Sequence, residues 1–159
     1  MNVMQKLTWL GSGCALALVP MLLSAQSEMK PAKITGKTLI AVDELKWVPM
    51  AGLEGAQQAA LWGDSTKEAH RIFYKWAPGT KAPTHTHTSG DRGVVVSGTL
   101  SLAVEGAPPK KLPAGSYFSL AGGVKHATAV EGDAPCVFYI EREGPFDAVM
   151  ADEAGAKKK

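Results

Sequence analysis

His85 and His87 stand one residue apart in "THTHTSGD", Asp91 follows four positions later, and His126 opens the stretch "HATAV" further on. Three imidazoles and a carboxylate make a workable donor set for a divalent first-row metal, with zinc, iron, manganese, nickel and copper all admissible. In an extended strand, residues two apart share a face. His85 and His87 would therefore project together, with Thr86 turned away. The Ser89-Gly90 pair invites a turn, after which Asp91 could return toward them from the start of the next strand. An H-x-H pair by itself is more often part of a polar surface loop. The remaining histidine, His70, begins "HRIFYKW" and reads as a strand-edge surface residue.

Strands are the elements available to position these side chains. Between residue 37 and about residue 150 the chain consists of short apolar runs separated by Gly, Pro, Asp and Ser clusters. "KTLIAV", "LKWVPM", "AALWG", "HRIFYKW", "RGVVVSG", "TLSLAVEG", "GSYFSL", "HATAVEG" and "CVFYIERE" each read as strands. "AGLEGAQQAALWG" offers a helical alternative that its two glycines weaken. Many short strands in one domain predict an all-β sandwich or barrel. With 159 residues, one domain is expected. A formal net charge of +2 gives no reason to expect a nucleic-acid partner.

The N-terminus reads as a targeting segment. "MNVMQK" is positive, "LTWLGSGCALALVPMLLSA" carries no charged side chain, and "LSA" precedes the polar "QSEMK". This pattern predicts a signal peptide over 1–25, a periplasmic or secreted protein, and no stable membrane insertion after cleavage. An uncleaved anchor is the alternative. Residues 26–36 read as a flexible lead-in, 37–150 as the folded domain and 151–159 as a disordered tail. Cys14 falls in the signal, so Cys136 alone remains and no intrachain disulfide is available.

From Gly79 the spacing is G-x5-H-x-H-x3-D-x6-G. It resembles the first signature of the cupin superfamily, with Asp91 where that superfamily usually has glutamate. "LPAGSYFSLAGGVKH" resembles the second signature and ends on His126. More narrowly, "LWGD", "RGVVVSGT", "LPAGSYFSLAGG" and "GPFD" resemble a bacterial cupin family of uncharacterised function that is similar to the zinc-binding cupin domain of anti-sigma factors. The resemblance implies a small jelly-roll β-barrel in which His85, His87, His126 and Asp91 bind one divalent metal ion. Aspartate is shorter than glutamate, so Asp91 either ligates directly or holds a ring N–H from outside the coordination sphere.

Five further residues are candidates for a substrate pocket: Tyr74, Trp76, Arg92, Phe118 and Cys136. Tyr74 and Trp76 share a strand face and are either core or pocket wall. Cys136 reads as a small buried hydrophobe or as a thiol in the pocket. Arg92 pairs with Asp91 at the surface or neutralises a substrate carboxylate. Two functions fit. One is a metalloenzyme of dioxygenase, isomerase or lyase type acting on a small organic molecule. The other is a non-catalytic metal or ligand sensor. A homodimer formed through "KTLIAV" and "LKWVPM" is also expected, because unpaired strand edges invite association.

Overall fold

In "HRIFYKW" the burial alternates: His70, Ile72, Tyr74 and Trp76 are buried, and Arg71, Phe73 and Lys75 are partly exposed. That period of two is what a strand covered on one face requires. "CVFYIER" repeats it, turning Cys136, Phe138, Ile140 and Arg142 inward. The computed structural model describes residues 38–151. The expected signal peptide, the lead-in and residues 152–159 of the expected tail lie outside the described residues.

Eleven strands follow in chain order among the described residues. They are β1 (Val48–Pro49), β2 (Ala56–Trp62), β3 (His70–Trp76), β4 (Lys81–Thr86), β5 (Asp91–Ser97) and β6 (Thr99–Val104). Then come β7 (Lys110–Pro113), β8 (Tyr117–Leu120), β9 (His126–Glu131), β10 (Cys136–Arg142) and β11 (Val149–Met150). One sheet has the order β1-β2-β3-β10-β5-β8 and the other β11-β4-β9-β6-β7. The pairings are antiparallel. The apolar core is built from inward residues of both sheets, among them Ile72, Val95, Phe138 and Ile140 from the first and Leu100, Leu102 and Val130 from the second. Full burial of a side chain such as Leu100 contributes about 1.5–3 kcal/mol. With no disulfide among the described residues, this burial holds the barrel together.

Several expected elements differ from the structure. Thr38–Ala41 of "KTLIAV" is not a strand, and Val42–Glu44 forms a short 3-10 turn. Glu44 supplies the local reason, because its carboxylate accepts the Ala41 N–H at 2.7 Å and its own N–H donates to the Ala41 carbonyl. "LKWVPM" contributes only Val48–Pro49, paired with Gln58 and Gln57. The helical alternative for "AGLEGAQQAALWG" is not adopted. Gly52 and Gly55 take positive φ, which glycine alone adopts cheaply, and β2 begins directly after them.

Strands β4, β7 and β11 escape a reading based on apolar runs. Pro83 interrupts β4, and the β4–β9 register slips between Ala82 and His85. A proline lacks the N–H that the ladder needs, so a bulge is the expected accommodation. The bulge leaves His85 directly opposite His126.

Candidate metal centre

Two cross-strand pairs build the polar end of the barrel. On the second sheet His85 of β4 faces His126 of β9. On the first sheet Asp91 of β5 faces Arg142 of β10. His87 lies just beyond the end of β4 and reaches between them, its Nε2 3.6 Å from Asp91 Oδ2. The loop that carries it is held from the opposite side, where the Gly123 N–H donates to the His87 carbonyl at 2.8 Å. Gly122 makes this approach possible, since a Cβ there would lie 2.2 Å from the Thr88 carbonyl oxygen. The glycine turn thus serves His87 as well as His126.

The three imidazoles are oriented alike. His85 Nδ1 donates to the Pro83 carbonyl at 2.7 Å, and His126 Nδ1 to the Val124 carbonyl at 3.0 Å. His87 Nδ1 donates to the carbonyl of Asp147. A carbonyl can only accept, so in each neutral ring the proton is on Nδ1 and Nε2 carries the lone pair. Metal-binding histidines are held in this way by an outer acceptor. Burial pushes the His87 pKa down to about 4, helped by the charge of Arg142. Burial also lowers that of His126, against the opposing pull of the Val124 carbonyl. Both rings are therefore neutral near pH 7, the form that can coordinate a metal.

The donor set suits a metal ion. One ligand atom from each of the three rings lies within 4.8 Å of the others, and all three residues are buried. The Nε2 atoms of His85 and His87 are 3.2 Å apart. With both protons on Nδ1 this contact opposes two lone pairs and is not a hydrogen bond. Two nitrogens each ~2.0–2.1 Å from one tetrahedral ion would be ~3.3 Å apart. A cation between the rings would turn that repulsion into coordination.

Asp91 stands beside this triad. Its Oδ1 accepts from Arg142 Nε at 2.5 Å and its Oδ2 from Arg142 Nη2 at 2.7 Å. The ligand atoms that converge are the three ring nitrogens, and Asp91 beside them is held in a buried bidentate pair. Asp91 accepts no ring N–H, since each ring proton is on Nδ1 and bonded to a backbone carbonyl, and it holds Arg142 instead. The expected Asp91–Arg92 pairing is not formed. Arg92 points to the other face of β5 and pairs with Glu143 at 2.5 Å. Neighbours in a strand face opposite sides, so a buried Asp91 sends Arg92 outward.

Behind the triad lies a cavity of about 340 Å³. Tyr74, Trp76 and Phe118 line it, together with His85, His87, His126, Asp91 and Arg142. Tyr74 and Trp76 also belong to the core cluster, so they are core and wall at once. Arg92 and Cys136 are not among the lining residues. Cys136 is fully buried at the far end of β10, and burial pushes its thiol up to about 11. His70 is not a surface residue: it is 1% exposed, and its Nδ1 donates to the carbonyls of Glu68 and Gly144.

Sequence reasoning missed Arg142, Phe146 and Asp147 as contributors to the site. Arg142 had a usable signal, because it continues the inward parity of Cys136, Phe138 and Ile140. The segment from Gly144 to Asp147 packs over the site. The Phe146 ring lies 5.6 Å from that of His87 and 4.8 Å from the Arg142 guanidinium carbon. Asp147 accepts the Thr88 N–H at 2.9 Å and the Thr88 hydroxyl at 2.5 Å. Burial pushes its carboxyl up, but the two Thr88 bonds outweigh this and hold it below its usual range.

Residues 35–146, well over half of the chain, match the family described as the ChrR Cupin-like domain. No curated protein matches the sequence. Among solved structures, the polyketide cyclase RemF from Streptomyces resistomycificus is similar at 15% identity and a TM-score of 0.62, over 73% of this chain and 86% of that one. A cupin-2 domain from Rhodospirillum rubrum is similar at 11% identity and a TM-score of 0.60, over 80% and 88%. KdgF from Halomonas sp. is similar at 21% identity and a TM-score of 0.53, over 65% and 94%. At such identities the likeness carries the fold alone, an all-β cupin jelly roll.

Proposed function

The chain belongs to the ChrR cupin-like domain family, and from that premise we propose that it is a metal-dependent cupin that binds and acts on a small organic molecule. His85, His87 and His126 would hold one divalent ion through Nε2. The observation that carries this reading is the three Nδ1 tethers, which leave three lone pairs converging at the wall of one cavity. When bound, the ion would act as a Lewis acid toward an oxygen of the molecule in the cavity. A site with three protein ligands keeps a position open, whereas a structural site is closed. That contrast favours chemistry at the ion over a purely structural role.

The other residues have distinct tasks. The backbone carbonyls of Pro83, Val124 and Asp147 fix the rings and their tautomers. The Asp91–Arg142 pair supplies a neutral polar floor beside His87. Phe146 covers the histidine end and helps to exclude water. Metal analysis of the purified protein tests the proposal. Near one equivalent of a divalent metal is expected, with most of it lost in His85→Ala, His87→Ala and His126→Ala. Arg92→Ala, on the outer face, should retain it. Failure of the wild type to bind zinc, iron, manganese, nickel or copper near stoichiometrically would overturn the reading.

Export is proposed on the sequence pattern that ends at Ala25. A mature N-terminus at or near Gln26 in mass spectrometry supports it, and an intact Met1 on a soluble product refutes it. A homodimer is proposed through the N-terminal segment. Its support is that β1 is the edge of its sheet and that Leu39, Val42 and Val48 are exposed. Light scattering should give twice the chain mass, and a concentration-independent monomer would refute the dimer.

A further inference from the structure

The cavity has two chemically unlike ends. One carries the three imidazoles and the Asp91–Arg142 pair. Toward the other, Trp76, Leu102, Phe118, Phe138 and Ile140 form the wall. Trp76 and Phe138 meet edge to face at 5.3 Å, and Tyr74 lies 5.4 Å from Phe138. These rings form a packed aromatic surface that exists before any ligand arrives. The hydroxyls among the lining residues belong to Tyr74 and Thr128. Trp76 Nε1 and Arg142 Nη1 add two buried donors without a partner, and a sugar or other polyol would still leave hydroxyls unpaired, at a cost of roughly tenfold in affinity for each.

Charge narrows the ligand further. Both Asp91 oxygens are spent on Arg142, so that pair is internally neutral. The wall offers no other carboxylate and no other cationic side chain. On the metal reading above, a divalent ion on three neutral rings leaves the histidine end with a net positive charge. In a cavity walled mostly by apolar side chains such a charge favours an anion. We infer that the ligand of this cavity is a small organic anion, an apolar or aromatic body whose anionic oxygen is directed to the histidine end. The size agrees: 340 Å³ equals about eleven waters at ~30 Å³ each, enough for one ring with a short substituent.

The inference rests on the metal reading, and calorimetry can separate the two. Benzoate, benzyl alcohol and glucuronate are titrated into the full chain loaded with zinc, and again after chelation, with zinc content measured alongside. Benzoate should bind the zinc-loaded protein at least tenfold tighter than benzyl alcohol, which lacks the charge. It should bind at least tenfold tighter than glucuronate, which has the charge on a polyol body. Chelation should weaken benzoate at least tenfold. A protein that takes up no zinc or other divalent metal refutes the metal reading, and the inference falls with it. Stoichiometric zinc with benzoate no tighter than benzyl alcohol refutes the anionic head alone. Glucuronate binding as tightly as benzoate refutes the apolar body, and benzoate indifferent to chelation refutes the placement of the anion.

Discussion

Replacing Arg142 by Leu should destabilise the metal-free protein strongly and make it more dependent on metal. Arg142 is 2% exposed and Asp91 6%, and two charge-assisted bonds join them. The substitution leaves a carboxylate buried without its cation, 3.6 Å from His87 Nε2. Breaking a buried pair from one side costs about 3–5 kcal/mol. For a domain of this size each kcal/mol moves the midpoint by about 3–5 °C, so the metal-free variant should melt roughly 10–20 °C below wild type. Two controls give the argument its sign. The double variant Arg142→Leu with Asp91→Leu removes both charges and should recover much of the loss, since apolar replacement of a buried pair is often neutral or better. Zinc should raise the midpoint of Arg142→Leu by more than that of wild type, because the freed carboxylate adds negative charge beside the ion and binding stabilises by mass action. Calorimetric melts of the three proteins, with zinc and with chelator, read all of this. A metal-free Arg142→Leu melting within about 3 °C of wild type would refute the reasoning, as would a double variant less stable than the single one.

Acid should weaken the metal-free fold in a defined window. With the His87 pKa lowered from 6.5 to about 4 and that of His126 also lowered, the unfolded chain binds more protons than the folded one between those values. Stability should therefore fall as pH drops from about 6.5 toward 4, which urea melts at several pH values will read. A flat profile across that window would contradict the burial assigned to these rings. Asp147 should act as a positioning residue for His87. Asp147→Ala removes the two bonds to Thr88 and should weaken metal affinity by ~10–100-fold, the usual cost of disturbing a ligand's outer partner. Asp147→Asn, which can still bond Thr88, should recover most of that loss. Equal affinities for Ala and Asn in a chelator competition would rule the role out.

How far the site was legible depends on the length scale of each signal. The histidine set could be read because its spacing is local: His85 and His87 need only a two-residue step, and His126 opens an ordinary strand. The strands "HRIFYKW" and "CVFYIERE" were equally plain, since each alternates over seven residues in the fold. β4 was hidden by Pro83, whose cost a bulge absorbs only because β9 lies alongside. "KTLIAV" failed in the opposite direction. Its apolar content suits a strand, but Glu44 satisfies its backbone locally and Leu39 and Val42 remain exposed. The role of Asp91 was illegible for a topological reason. Its partner Arg142 is 51 residues away, and the two meet only because β5 and β10 are neighbours in register. The sequence places Arg92 beside Asp91, but pleating separates neighbours and pairing joins strangers. The same rule governs His70 and Gly144, 74 residues apart, and His87 and Asp147, 60 apart. Strand parity could still have reduced the search, because Arg142 is the inward-facing cation of its strand and a buried cation requires a buried anion. Among the acidic residues, Asp91 is the one that the histidine pattern had already drawn into the barrel.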